Sequence, residues 1–147
     1  MVRWISDPAE KARIAEKILT ALPEWFGIPE STREYIEKSR VLPFWAFNED
    51  GFIAMKSTSR YTAEIFVMGV MPNMHRMGIG RALVQALQAY AAENGYEYLQ
   101  VKTVQKGHYA EYDSTNVFYE VAGFRELECF PTLWDAQNPC QIYIKAI

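Results

Sequence analysis

The chain has 147 residues, of which only two are cysteine and two are histidine. Cys129 and Cys140 cannot make a disulfide framework, and no His, Cys and Asp grouping has the spacing of a metal site. Both cysteines fall in strand-like stretches and read as small buried apolar residues. No apolar run approaches the roughly 20 residues of a membrane span. The first 20 residues carry Arg3, Asp7, Glu10, Lys11, Arg13, Glu16 and Lys17 where a secretory leader would be apolar. Strong charge of one sign is also missing. The formal net charge of −3 excludes a general binder of nucleic acid or of anionic membranes. Repeats, low-complexity tracts, long linkers and a G-x-S-x-G nucleophile motif are absent as well. These absences leave a soluble, cytoplasmic protein with no metal and one domain over residues 1–147 as the expectation.

What the chain does contain is apolar and aromatic. Hydrophobic residues make up 50%, charged residues 22% and aromatics 14%, which supports a packed core and excludes a disordered segment. Residues 8–22 place Ala12, Ile14, Ile18, Leu19 and Leu22 on one helical stripe, with Ser6 or Asp7 as a cap and Pro8 at the first position. A second helix fits residues 29–40. Short β-prone runs follow at 42–47, 52–58 and 63–70, the first two joined by the turn sequence Asn48-Glu49-Asp50-Gly51. The strongest helix spans 78–93, with Gly95 at its C-terminal stop. A strand at 98–104, a short helix at 114–122 capped by Asp113, and strands at 124–133 and 140–147 complete the pattern. In the last strand Ile142 and Ile144 alternate with Gln141, Tyr143 and Lys145. The sum predicts an α/β (α+β) fold with a mixed, mostly antiparallel sheet of about seven strands flanked by about four helices.

The loop before the third helix carries the chemistry. Between Glu64 and Glu93 there is no acid, while His75, Arg76 and Arg81 surround Gly78 and Gly80. A G-x-G pair alone also fits an ordinary strand-to-helix turn. Cations on a positive helix end are unfavourable unless an anion joins them, and glycines let backbone N–H groups approach a ligand closely. The segment therefore points to a phosphate or pyrophosphate. A P-loop lacks its G-K-[ST], and a dinucleotide fingerprint lacks its third glycine, since Leu83 stands there.

His75-Arg76-Met77-Gly78-Ile79-Gly80 resembles the cofactor motif Q/R-x-x-G-x-G/A of the GNAT superfamily of N-acetyltransferases, with His75 in the Q/R slot. The stretch 116–124, with Tyr119 four residues before Gly123-Phe124, resembles the second motif of the same superfamily. The resemblance covers roughly residues 42–130. It implies acetyl-CoA as acyl donor and a cofactor site formed by Met68, Val70, His75, Arg76, Met77, Gly78, Ile79, Gly80, Arg81, Asn116 and Tyr119. The pyrophosphate would rest on the amides of residues 76–81, and the pantetheine would pair with the strand at 68–70.

Acyl transfer to an amine needs an acceptor of the amine's proton, donors for the carbonyl oxygen, and a proton for the leaving thiolate. Glu64 stands where the resemblance puts a base; the plainer alternative is a solvent-facing residue at a strand start. Tyr119 matches the tyrosine that serves the thiolate as acid, against the alternative of a packing aromatic. Helical spacing sets Asn116 and Tyr119 on one face and leaves Val117, Phe118 and Val121 to serve the core. The oxyanion donor falls to a backbone N–H, of Met68 or Val70. Lys102, Lys106 and Arg125 read as a solvated rim.

The acceptor site is implied between the N-terminal helices and the loop before the second motif. Trp25, Phe26 and Tyr35 on one side, and Tyr109 and Tyr112 on the other, are interleaved with Glu34, Glu37, Glu111 and Asp113. That mixture suits a cationic amine, small or peptidyl, while an ordinary helix surface remains the simpler account. The expectation is thus an acetyl-CoA-dependent N-acetyltransferase acting on a primary amine, with a homodimer compatible. The alternative is a non-catalytic acyl-CoA-binding or sensing domain.

Overall fold

A computed structural model covers residues 1–147. Its elements in chain order are β1 (Val2–Trp4), α1 (Pro8–Thr20), α2 (Pro29–Ser39), β2 (Phe44–Phe47), β3 (Gly51–Ser57), β4 (Thr62–Val70), α3 (Ile79–Glu93), β5 (Tyr98–Val104), α4 (Ala110–Val121), β6 (Arg125–Asp135) and β7 (Asn138–Ala146). The strands form one sheet in the order β1-β2-β3-β4-β5-β7-β6. Every pairing is antiparallel except β4 with β5. The mixed, mostly antiparallel architecture is the one anticipated. Asp7 caps α1, its carboxylate accepting from Glu10 N at 3.1 Å.

Four details differ from the sequence expectation. The edge strand β1 has no periodic signal of its own, because three residues suffice to pair it with β2 and to set Trp4 against Trp45 and Tyr90. Helix α4 starts at Ala110, and Asp113 lies in its first turn, accepting from Gly107 N at 2.7 Å instead of capping the helix. Of the three α4 residues left to the core, Phe118 packs against it, but Val117 and Val121 are 55% and 81% exposed, while Asn116 and Tyr119 are buried. Tyr143 is buried, because β7 is an interior strand covered on both faces.

The sheet separates two cores. One lies under α3 and α4 and joins Leu83, Leu87, Tyr119 and Phe124 to Ile53, Ile65, Leu99 and Tyr143. The other lies under α1 and α2 and joins Ile14, Ile18, Leu19 and Ile36 to Phe44, Phe52, Ala54 and Val67. Residues of β3 alternate between them, so Phe52 and Ala54 enter one core and Ile53 and Met55 the other. Burial on both faces explains why β3 reads as a continuous apolar run rather than an alternating one.

Two irregularities shape the site. Ala54 faces Val67 and Met55 faces Ile65, so Phe66 is an extra residue in β4, a β-bulge. Ile65 therefore enters the α3 core while Val67 enters the α1 core, which regular period 2 forbids. Next to the bulge the sheet splits. β5 pairs with β4 only along 62–65, and residues 66–70 of β4 have no strand neighbour on that side.

Candidate active site

The glycine loop follows β4 immediately. A short 3-10 turn, Pro72–Met74, leads to His75, and two positive φ angles follow, +65° at Arg76 and +80° at Gly78. Gly78 is the N-cap of α3 and offers no side-chain cap. The backbone N–H groups of residues 75–81 find no backbone acceptor in the chain. A run of orphan donors at a helix N-terminus is an anion cradle. Gly78 and Gly80 serve it differently. A Cβ on Gly78 would meet nothing within 4 Å, so its φ is the constraint; a Cβ on Gly80 would meet the Phe118 ring at 3.0 Å, so close packing of α3 on α4 is. Arg76, Arg81 and Met77 are exposed around the cradle, whereas the Ile79 side chain is core and only its N–H faces the loop.

His75 takes a different part from the one expected. Its Nε2 donates to Val70 O at 2.8 Å, and its ring meets the edge of Trp25 with centroids 5.9 Å apart. A strand-end carbonyl left alone by the departure of β5 attracts the imidazole, so the side chain braces the loop against β4 instead of reaching out beside the cradle. Its backbone N–H stays with the other donors. Met68 and Val70 lie on the unpaired stretch of β4, packed against the α3 core.

Asn116 is corrected outright as a cofactor ligand. The residue is fully buried, its Nδ2 donates to Val104 O at 2.9 Å and to Tyr112 O at 2.6 Å, and its Oδ1 accepts from Tyr143 Oη at 2.6 Å. With those bonds made inside the protein, Asn116 positions α4 against β5 and β7. Tyr119 lies one turn further on, 5% exposed, between Phe118, Phe124 and Tyr143. Burial pushes its phenol well above the ordinary range. No side chain or backbone group of the chain bonds its hydroxyl, yet no sealed polar atom lacks a partner, so the small exposed part of Tyr119 includes its Oη.

Glu64 sits at the mouth of the split, in the last paired stretch of β4, facing Lys56 across β3 and Gln100 across β5. It is 4% exposed, not a solvent-facing strand start. Gln100 Nε2 donates to Oε1 at 2.6 Å, Lys102 Nζ stands 3.5 Å from Oε1, and Lys56 Nζ stands 3.8 Å from Oε2. Lys102 is thereby moved from the expected rim into the site. Lys56, Gln100 and Lys102 carried no sequence signal, because strand register alone brings them to Glu64. Lys56, Glu64 and Lys102 line a cavity of about 290 Å³ closed by Ser31, Glu34 and Tyr35 of α2, Phe66 and Trp134. A larger cavity of about 370 Å³, between β3 and the end of α3, offers no carboxylate, histidine or cysteine.

The five aromatics expected around the acceptor do gather. Trp25 Nε1 donates to Thr115 Oγ1 at 3.1 Å, and Tyr112 Oη donates to Trp25 O at 2.9 Å, which ties the α1–α2 connection to α4. Tyr109 stacks edgewise on Tyr112, Phe26 on Tyr35, and Tyr35 on the bulged Phe66. Burial raises the Tyr35 phenol and pushes that of Tyr112 up to about 12. Three of the four acids expected among them are engaged elsewhere, Glu34 with Lys38, Glu37 with Arg40 and Asp113 with Gly107 N, while the Glu111 carboxylate makes no ion pair.

The fold recurs in solved structures. A GNAT-family protein from Desulfovibrio desulfuricans is 19% identical and superposes with a TM-score of 0.82 over 99% of this chain and 98% of its own. An aminoglycoside 6'-N-acetyltransferase complexed with coenzyme A is 16% identical, with a TM-score of 0.77 over 99% of this chain and 96% of its own. A GNAT-family acetyltransferase from Elizabethkingia anophelis with acetyl-CoA bound is 16% identical, with a TM-score of 0.67 over 90% of each chain. No curated protein matches by sequence. The model of the acetyltransferase (GNAT) family matches residues 12–124, and the chain belongs to that family.

Proposed function

We propose that this protein transfers the acetyl group of acetyl-CoA to the nitrogen of a primary amine. The observation that carries this reading is that three kinds of donor are left open. They are the orphan N–H groups of residues 75–81, the unpaired edge of β4 at 66–70, and a buried tyrosine hydroxyl with no partner in the chain. A pyrophosphate fits the first, the amides of a pantetheine arm fit the second, and a thioester sulfur fits the third. Acetyl-CoA supplies an activated acyl carbon.

The chain's own groups then divide the work. An N–H of the unpaired edge, from Met68 or Val70, donates to the carbonyl oxygen as it gains charge. As the C–N bond forms and the C–S bond breaks, Tyr119 donates a hydrogen bond to the departing thiolate. Its raised phenol makes complete proton transfer uphill, so the hydroxyl stabilises developing charge and keeps its own proton through most of the step. Glu64, at the mouth of the split, accepts the proton lost by the amine, directly or through one water.

Thermal shift with coenzyme A tests the first two features, and thiol release from acetyl-CoA with a panel of primary amines tests the third. Stabilisation together with amine-dependent thiol release is the expected outcome. Stabilisation with no release across the panel would make this a binding domain instead.

A further inference from the structure

The cavity beside Glu64 is lined by two lysines and two glutamates, and the way these four are paired bears on what the acceptor must look like. Lys56 and Lys102 both stand within 4 Å of the Glu64 carboxylate, one on each oxygen. Neither makes a side-chain hydrogen bond, because the bond to Glu64 at 2.6 Å comes from Gln100. Each ammonium has three N–H donors, both lysines line the cavity with side chains 38% and 30% exposed, and Lys56 Nζ also stands 5.7 Å from the centroid of the Phe66 ring on the same wall. Glu34, the other acid on the wall, is held by Lys38 on its own helix. Formally, Glu64 cancels one of the two lysines and leaves one cation unmatched. A site for a purely cationic amine would not be built this way, since bringing a further ammonium beside two others costs energy in a partly buried cavity.

We infer that the acceptor carries an oxyanion besides its amine, a carboxylate or a phosphate, which docks on Lys56 and Lys102. The inference rests on the N-acetyltransferase reading. The oxyanion takes the free N–H donors of the two ammonium groups, and the aromatic walls of Tyr35 and Phe66 border the chain between oxyanion and amine. A cavity of about 290 Å³ limits this acceptor to a small molecule or to the end of a larger one.

Four primary amines of similar length test it in the thiol-release assay: β-alanine, O-phosphoethanolamine, propylamine and 1,3-diaminopropane. The expected result is a kcat/KM for β-alanine or for O-phosphoethanolamine at least about tenfold above both propylamine and the diamine. Whichever of the two is faster identifies the oxyanion as carboxylate or phosphate. Lys56→Met and Lys102→Met should each narrow that ratio by raising the KM of the preferred acceptor. Equal or faster turnover of propylamine or the diamine by the unaltered protein overturns the inference while leaving the acetyltransferase reading intact. A preference that survives in both variants overturns it too. No thiol release with any amine, alongside stabilisation by coenzyme A, removes the acetyltransferase reading and the inference with it.

Discussion

Tyr143 Oη donates to Asn116 Oδ1 at 2.6 Å in the interior between α4 and β7, and this bond fixes which face of α4 the protein buries. An asparagine in a core is tolerated only when its donors and acceptor are matched, and Val104 O, Tyr112 O and Tyr143 Oη match them. Asn116→Ala leaves Val104 O and Tyr143 Oη without this partner in the interior, at about 1–3 kcal/mol each, while Tyr112 O keeps its helical bond. A fall in unfolding midpoint with little change in the affinity of the folded protein for coenzyme A is expected, read by urea titration beside calorimetric binding. Weakened coenzyme A binding at unchanged stability would return Asn116 to the ligand set.

Tyr119→Phe removes a hydroxyl that bonds nothing in the chain. Stability should be retained, because the ring keeps its contacts with Phe124 and Tyr143. The rate of thiol release should fall by about 10²-fold, with the KM for acetyl-CoA little changed. An unaltered rate would make Tyr119 a packing residue alone.

For Glu64→Gln the informative measurement is the pH profile. Loss of a proton acceptor should lower kcat/KM about 10²-fold near pH 7, with recovery toward pH 10, where an amine of pKa near 10.4 deprotonates unaided. A deficit of the same size at every pH would indicate that Glu64 only balances Lys56 and Lys102.

The two loop glycines separate backbone strain from packing. Gly78→Ala imposes a left-handed conformation on an L-residue at a cost of roughly 1–2 kcal/mol, although its methyl group has room. Gly78→Asn should recover part of the loss in both Tm and coenzyme A affinity, since asparagine tolerates this region. Gly80→Ala instead presses a methyl on Phe118, and there Phe118→Leu should relieve the defect.

Burial raises Tyr112 and Tyr143 to about 12 and Cys140 to about 11. Each group holds its proton more tightly when folded than when unfolded. The unfolded chain therefore binds fewer protons in the alkaline range, and stability falls as pH rises. The loss should begin near pH 9, with Cys140, and continue through pH 10–12 with the two tyrosines. Denaturant midpoints taken from pH 7 to 12 read it directly, and a flat profile above pH 9 would contradict these shifts.

The order of strands and helices was legible in the residues because it depends on local patterns. Pro8 behind Asp7, the turn at residues 48–51 and Gly95 after α3 each act within a few residues of themselves. The buried face of α4 was legible only in part. Apolar pattern assigns Val117 and Val121 to the interior, and only the carbonyl of Val104 and the hydroxyl of Tyr143, distant in the chain, make Asn116 the better buried residue. Three-residue β1 escaped for the opposite reason, having too little chain to show a period.

The glycine loop belonged to the sequence as well. Its anion preference follows from an acid-free stretch and two glycines at a helix start, all within about a dozen residues of one another. The acceptor cavity belonged to the tertiary structure alone. Lys56, Glu64, Gln100 and Lys102 lie on three strands, and their meeting depends on a register shifted at Phe66 and on a sheet that parts beyond Ile65. Sequence determines charge along the chain, and here that suggested an acidic, cation-seeking cleft. Register decides which charges share a space, and it brought two lysines to one buried glutamate while Glu34 and Glu37 paired elsewhere.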